Sequence, residues 1–188
     1  MAASLTENGI GQAHLVGHSL GGGIALLIAA GMPDRTASLS LIAPAGLGCG
    51  IDKQFLTEYP DTVIPETMIE LLRKLVHRPQ FINKMTVQRA LTQLGRDGAR
   101  DALRAVAAAI TPNEPEIAAA AEMVVQSDIP RMTIWGEADK INPLDRHRLQ
   151  EFGGACNVVP ETGHLPHIEN PKVVNRLLVD FLAQQMAV

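Results

Sequence analysis

Aromatic side chains are scarce in this chain: its 188 residues include one tryptophan, one tyrosine and four phenylalanines. With a formal net charge of −4 and acidic and basic residues interspersed, that scarcity argues against a nucleic-acid surface and against a basic membrane-binding face. Cysteine is scarce too. Cys49 and Cys156 stand far apart, fit neither a metal-ligand spacing nor a disulfide framework, and point to a reducing compartment. Long apolar runs are absent. The most apolar stretch, from Gly23 to Met32, is half the ~20 residues needed to cross a bilayer and reads as a buried helix. The opening "MAASLTENGIGQ" shows no basic region leading into an apolar stretch and no cleavage-site pattern, so a cytoplasmic location is expected. The six histidines show no H-E-x-x-H or similar spacing, and no metal is expected.

What is present is alternation. A chain of this length can bury about 70% of its unfolded surface as one domain, taken here as residues 1–188. "AASLTEN" reads as the end of a helix closed by Gly9. "AHLVGH" (Ala13 to His18), "ASLSLIAP" (Ala37 to Pro44), "RMTIWG" (Arg131 to Gly136) and "ACNVVPE" (Ala155 to Glu161) are short, largely apolar runs bounded by turn residues, as strands buried on both faces should be. Helical stretches separate them: Gly23 to Met32, Leu144 to Phe152, and a last helix with Asn170 as N-cap and Pro171 at its first position. Strand and helix in alternation predict an α/β fold with a parallel sheet of about four strands. Between Gly46 and Ser127 the pattern turns helical without a strand. "PETMIELLRKLVH", "GARDALRAVAAAI" and "EIAAAAEMVVQ" are helix formers, the first placing Met68, Leu72, Leu75 and Val76 on one side.

"HLVGHSLGGG" puts Ser19 between Gly17 and Gly21, after a strand and before a helix. Such a turn presents a hydroxyl at its apex, although an ordinary glycine-rich turn with a capping serine would look the same in five letters. A serine needs a base, and the base a carboxylate to orient it. Asp139 in "WGEADKINP" follows the third strand and His164 in "ETGHLPHIENP" follows the fourth. In a parallel sheet all these strand ends share one edge, so Ser19, Asp139 and His164 can meet there. Glu137 and Asp145 compete for the acid role. His18 reads as a buttress of the elbow, His167 as a hydrogen-bonded structural neighbour, and His14, His77 and His147 as surface or packing residues.

With "GHSLGG" as nucleophile elbow, "WGEAD" as acid loop and "GHLPHIENP" as histidine loop, the chain resembles the α/β-hydrolase family over essentially its whole length. Within that family, "LIAPAGLG" followed by a helical stretch is most similar to the hydrolase-like domain of acetyltransferase components of acetoin dehydrogenase complexes. The resemblance implies a partial α/β-hydrolase fold, N-terminally truncated, with residues 46–127 as a helical lid. It implies Ser19 as nucleophile, His164 as base, Asp139 as the residue that orients it, and the Leu20 backbone N–H as one of two oxyanion-hole donors. The chemistry implied is acyl transfer or hydrolysis of an ester or thioester, with no cofactor required and a lipoyl or coenzyme A thioester as substrate. A small-ester or carbon–carbon bond hydrolase is the alternative enzyme, and an inactive fragment acting as an interaction module is the alternative of another class. The partners expected are a small acyl substrate and either a second copy bound through the exposed edge of the first strand or a dehydrogenase complex.

Overall fold

The computed structural model describes residues 2–186. Four strands, β1 (Ala13–His18), β2 (Thr36–Ile42), β3 (Arg131–Gly136) and β4 (Ala155–Val159), form one sheet in the order β1-β2-β3-β4 with every pair parallel. His18 lies beside Ile42, Ile42 beside Ile134 and Gly136 beside Val159, so the carboxyl ends of all four strands line up. Two strands stop earlier than the sequence pattern predicts. After Ile42, Ala43 takes a positive φ of 42° and Pro44 has no N–H to give the ladder; after Val159, Pro160 and the positive φ of 51° at Glu161 do the same.

Helices cover both faces. α1 (Ala2–Glu7) leads into β1, and α2 (Leu20–Gly31) begins immediately after Ser19, three residues earlier than expected. α2 packs with Leu15, Leu39, Leu41, Trp135, Leu149 and Phe152 in the larger core, the last two from α7 (Arg146–Phe152). On the opposite face Val174 and Phe181, from α9 (Pro171–Met186), pack on Ile42, Met132, Ile134 and Val159. Each such fully buried aliphatic or aromatic side chain contributes about 1.5–3 kcal/mol. The short α8 (Pro166–Glu169) precedes α9. β1 is an edge strand, and its Val16 is half exposed.

Between β2 and β3 the chain makes a helical excursion through α3 (Lys53–Glu58), α4 (Pro65–Lys74), α5 (Lys84–Leu94) and α6 (Ala99–Val125). α3 and α5, not singled out in the sequence, are each started by a side-chain cap: Asp52 accepts from the Phe55 N–H and Asn83 from the Thr86 N–H, both at 3.0 Å. Met68, Leu72, Val76, Ile82, Val87 and Leu94 form a separate small core there. The two alanine-rich segments expected as separate helices are one helix, α6, which runs through Pro112 and Pro115. The prolines deprive the Ala108 and Thr111 carbonyls of their helical donors, and both of these residues are exposed, so the lost hydrogen bonds fall on the solvent side of the helix. From Ile117 onward α6 leaves the excursion's own core: Ile117, Ala120, Ala121 and Val124 belong to the large cluster with α2.

The junction of β1 and α2 depends on missing Cβ atoms. A methyl on Gly17 would lie 2.8 Å from the Gly22 Cα, and one on Gly22 would lie 2.6 Å from the Pro44 Cβ, whereas one on Gly21 would meet nothing within 4 Å. The three glycines of the motif therefore differ in sensitivity. Gly17→Ala and Gly22→Ala should each destabilise by about 1–3 kcal/mol, while Gly21→Ala should be neutral or stabilise by up to ~1 kcal/mol through helix propensity. Urea unfolding of the three variants measures this ordering.

Candidate active site

Ser19 has φ 52° and ψ −120°, a conformation that β1 imposes by ending abruptly where α2 begins. For a non-glycine residue such a position costs about 1–3 kcal/mol and needs support from its surroundings. The support is backbone hydrogen bonding: the Ser19 N–H donates to the Ile42 carbonyl at 2.9 Å, and the Ser19 carbonyl accepts from Gly22, Gly23 and Ala45 at 2.9–3.1 Å. The turn aims the hydroxyl at the sheet edge. Leu20 opens α2, so its N–H is among the first four that helix geometry leaves without an intrahelical acceptor.

The three residues singled out by sequence meet there. The Ser19 hydroxyl donates to His164 Nε2 at 2.9 Å, and His164 Nδ1–H donates to Asp139 Oδ2 at 2.8 Å. Ser19 remains partly exposed, whereas His164 is 3% and Asp139 6% exposed. The second Asp139 oxygen accepts the Ile141 and Asn142 N–H groups, each at 2.9 Å. This fixes the carboxylate and leaves one oxygen for the imidazole. The competitors are occupied elsewhere: Glu137 faces Arg146 on the exposed surface at 3.4 Å, and Asp145 caps α7 through the Arg148 N–H.

The remaining histidines divide between site and surface. His14 Nδ1 is 2.8 Å from the Ser38 hydroxyl, and His147 pairs with Glu151 one helical turn away. His18 does more than buttress the elbow, since its Nε2–H donates to the His164 carbonyl at 2.8 Å and its ring lies 4.9 Å from that of His164 and 4.7 Å from that of His167. His167 departs from expectation: its Nδ1 is buried without a hydrogen-bond partner, because it packs against the His18 ring instead. Two further polar residues were not singled out by sequence. Asn142 is buried and donates to the Pro44 carbonyl at 2.8 Å, tying the acid loop to the end of β2. Glu169 is buried beside Gly163, to whose N–H it is bonded at 2.6 Å. Asn142 lies in the loop beside Pro143 and Glu169 ends the short α8, and only tertiary contact gives either one its meaning. Among the described residues, no three His, Cys, Asp or Glu side chains are placed to share a metal ion, and no helix is long and apolar enough to cross a membrane.

A parallel sheet whose carboxyl edge gathers a serine on a strained turn, a histidine and a buried aspartate defines a class of architecture. The chain belongs to the alpha/beta hydrolase family, whose model matches residues 2–177. It is 32% identical over 180 residues to the dihydrolipoyllysine-residue acetyltransferase component of the acetoin cleaving system from Pseudomonas putida, a match covering 96% of this chain and 48% of that protein. It is 29% identical over 199 residues to a 2-hydroxy-6-oxononadienedioate/2-hydroxy-6-oxononatrienedioate hydrolase from Burkholderia vietnamiensis, covering 97% of this chain and 66% of the relative. The crystal structure of a meta-cleavage product hydrolase from Pseudomonas fluorescens superposes with a TM-score of 0.82 at 20% identity, over 97% of this chain and 69% of that one. The chain thus spans about half the length of the acetoin-system relatives it matches.

The His18 contact carries a pH signature. Burial, the largest cause, pushes the His18 pKa from 6.5 to about 4, with the bond to the His164 carbonyl opposing the shift. Because the folded value lies below the unfolded one, the unfolded chain binds the proton first as pH falls. Stability fully present above pH 6.5 is therefore lost between about pH 6.5 and pH 4, amounting to about 3 kcal/mol. Urea titrations at pH 7, 5.5 and 4.5 should show this decline, and His18→Gln, which retains an N–H donor but does not titrate, should flatten it.

Proposed function

We propose that the chain transfers an acyl group from an ester or thioester through an acyl-enzyme on Ser19. The observation that carries this reading is the continuous hydrogen-bonded line from Asp139 through His164 to the Ser19 hydroxyl, at 2.8 and 2.9 Å, on a positive-φ turn. Asp139 holds the tautomer with the proton on Nδ1, which leaves the Nε2 lone pair toward Ser19. As Ser19 Oγ bonds to the acyl carbon, its proton passes to His164 Nε2, and the carbonyl oxygen gains a negative charge. The Leu20 N–H is positioned at the helix start to stabilise that charge. Collapse breaks the bond to the leaving oxygen or sulfur, which takes the proton from His164. Water or an acceptor thiol then enters by the same steps in reverse.

The similarity to acetoin-system acetyltransferase components supports a short acyl group and a lipoyl or coenzyme A thiol as acyl carrier. A second reading, hydrolysis of a carbon–carbon bond by the same residues, is supported by the similarity to dienedioate hydrolases at 29–31% identity. Turnover of acetyl-dihydrolipoamide against a 2-hydroxy-6-oxo-dienedioate separates the two.

A fluorophosphonate should label Ser19 and none of Ser4, Ser38, Ser40 or Ser127, read by peptide mass mapping. His164→Ala should abolish labelling, and Asp139→Asn should slow it by as much as roughly 10⁴-fold through the wrong tautomer. Equal labelling in all three proteins would refute the assigned roles. The outer edge of β1, where Val16 is half exposed, supports pairing with a second copy of the chain. Sedimentation velocity should then show a concentration-dependent dimer that Val16→Lys disperses, and a wild-type monomer at all concentrations would refute the pairing.

A further inference from the structure

Glu169 is a buried acid with no part in the steps above. Its side chain is fully shielded from solvent, and the charge is met by backbone donors from two distant segments. Oε1 accepts the Gly163 N–H at 2.6 Å, from the residue immediately before His164. Both oxygens lie within 3.1 Å of the His77 nitrogen, and Oε2 also accepts the Arg78 N–H at 3.0 Å. The Arg78 guanidinium adds charge at 3.9 Å and donates to the Glu169 carbonyl. His77 and Arg78 belong to the helical excursion, just beyond α4.

A carboxylate can serve both segments because it offers several acceptor lone pairs, and removing it would leave buried N–H groups unpaired. Packing joins the same two segments. A methyl on Gly163 would lie 2.8 Å from the His77 nitrogen and 2.9 Å from the Leu75 carbonyl oxygen, so the loop and the end of α4 are in backbone contact. On the other side of His164, Leu165 packs against the excursion's core of Met68, Leu72 and Val76. Both neighbours of His164 thus touch the excursion, while the Gly163 carbonyl also lies against Gly136 at the end of β3.

We infer that Glu169 is a positioning residue that couples docking of residues 75–78 to the placement of His164. The inference rests on the reading of His164 as the base. When the excursion is docked, the Gly163 and Leu165 anchors hold the imidazole between Ser19 and Asp139. When it lifts, the base loop is freed with it. A displacement of about 1 Å at a reacting group can cost on the order of 10²-fold in rate, so the excursion controls reactivity without touching the reacting atoms.

The test compares the full chain with Glu169→Gln, which keeps the shape but withdraws the charge and one acceptor oxygen, and with Met68→Ala, which loosens α4 within the excursion's core without removing either hydrogen-bonded anchor. Proton NMR of the His164 Nδ1–H and amide exchange at Gly163, His77 and Arg78 are measured beside fluorophosphonate labelling. Coupling requires the three amides to lose protection together, the Nδ1–H signal to shift or broaden, and labelling to slow on the order of 10- to 10²-fold in both variants. An unchanged Nδ1–H signal and labelling rate in folded Met68→Ala, with α4 amides exchanging freely, would overturn it even where Glu169→Gln fails to fold. A wild-type chain that labels nowhere refutes the role of Ser19, and the NMR and exchange measurements still decide the coupling.

Discussion

The arrangement at the sheet edge depends on one strained backbone position. Ser19 is held at φ 52° by main-chain bonds alone: its N–H goes to the end of β2, and its carbonyl takes donors from the first turn of α2 and from Ala45. Those bonds draw β1, α2 and the loop after β2 to a single point, and the close approach is what forbids side chains at Gly17 and Gly22. A strand that relaxed into an ordinary turn would swing the hydroxyl away from His164 and release the Ala45 contact. The local cost of 1–3 kcal/mol at Ser19 is offset by the burial of Leu26 and Ala29 behind it, which are fully enclosed between α2 and the sheet.

Asp139 and His164 are likewise held through hydrogen bonds to main-chain groups. Asp139 is oriented by two backbone N–H groups of its own loop, and the loop in turn is fixed through Asn142 to the carbonyls after β2. His164 is held at its carbonyl by His18, the residue before Ser19. Ser19 and His164 are thus linked twice, once through the side-chain hydrogen bond and once through this tether. The tether uses a neutral imidazole. A positive charge at His18 would stand 4.9 Å from the His164 ring. Burial keeps that charge away.

Much of this was legible in the sequence because the relevant signals are local. Gly17 and Gly21 around Ser19, the short apolar runs before it and before Asp139 and His164, and the proline at the start of α9 each describe a few consecutive residues, and parallel pairing does the rest by bringing the carboxyl ends together. What was not legible depends on tertiary contact. The two prolines of α6 look like helix breaks, yet the residues whose carbonyls they leave without a helical donor are exposed. Asn142, Glu169 and the His18 tether bind backbone groups of residues far away in the chain, and no spacing rule reports a partner 92 or 146 residues distant. His167 read as a hydrogen-bonded neighbour near the start of the last helix, and its Nδ1 has no partner while its ring lies against that of His18.

The distribution of anchors also assigns different mechanical roles to the three loops. Ser19 and Asp139 are referred to the sheet, through Ile42, Ala45 and Pro44. His164 meets the sheet edge through His18 and Asp139, and its neighbour Gly163 lies against Gly136 of β3 as well as against residues of the helical excursion. The excursion has its own core, and its links to the base loop pass through one carboxylate, one glycine and one leucine. A segment that packs on itself can move as a unit with little internal cost, since the side chains buried within it stay buried. Ser19 and Asp139 are thus tied to the sheet, whereas the His164 loop is tied both to the sheet and to the excursion.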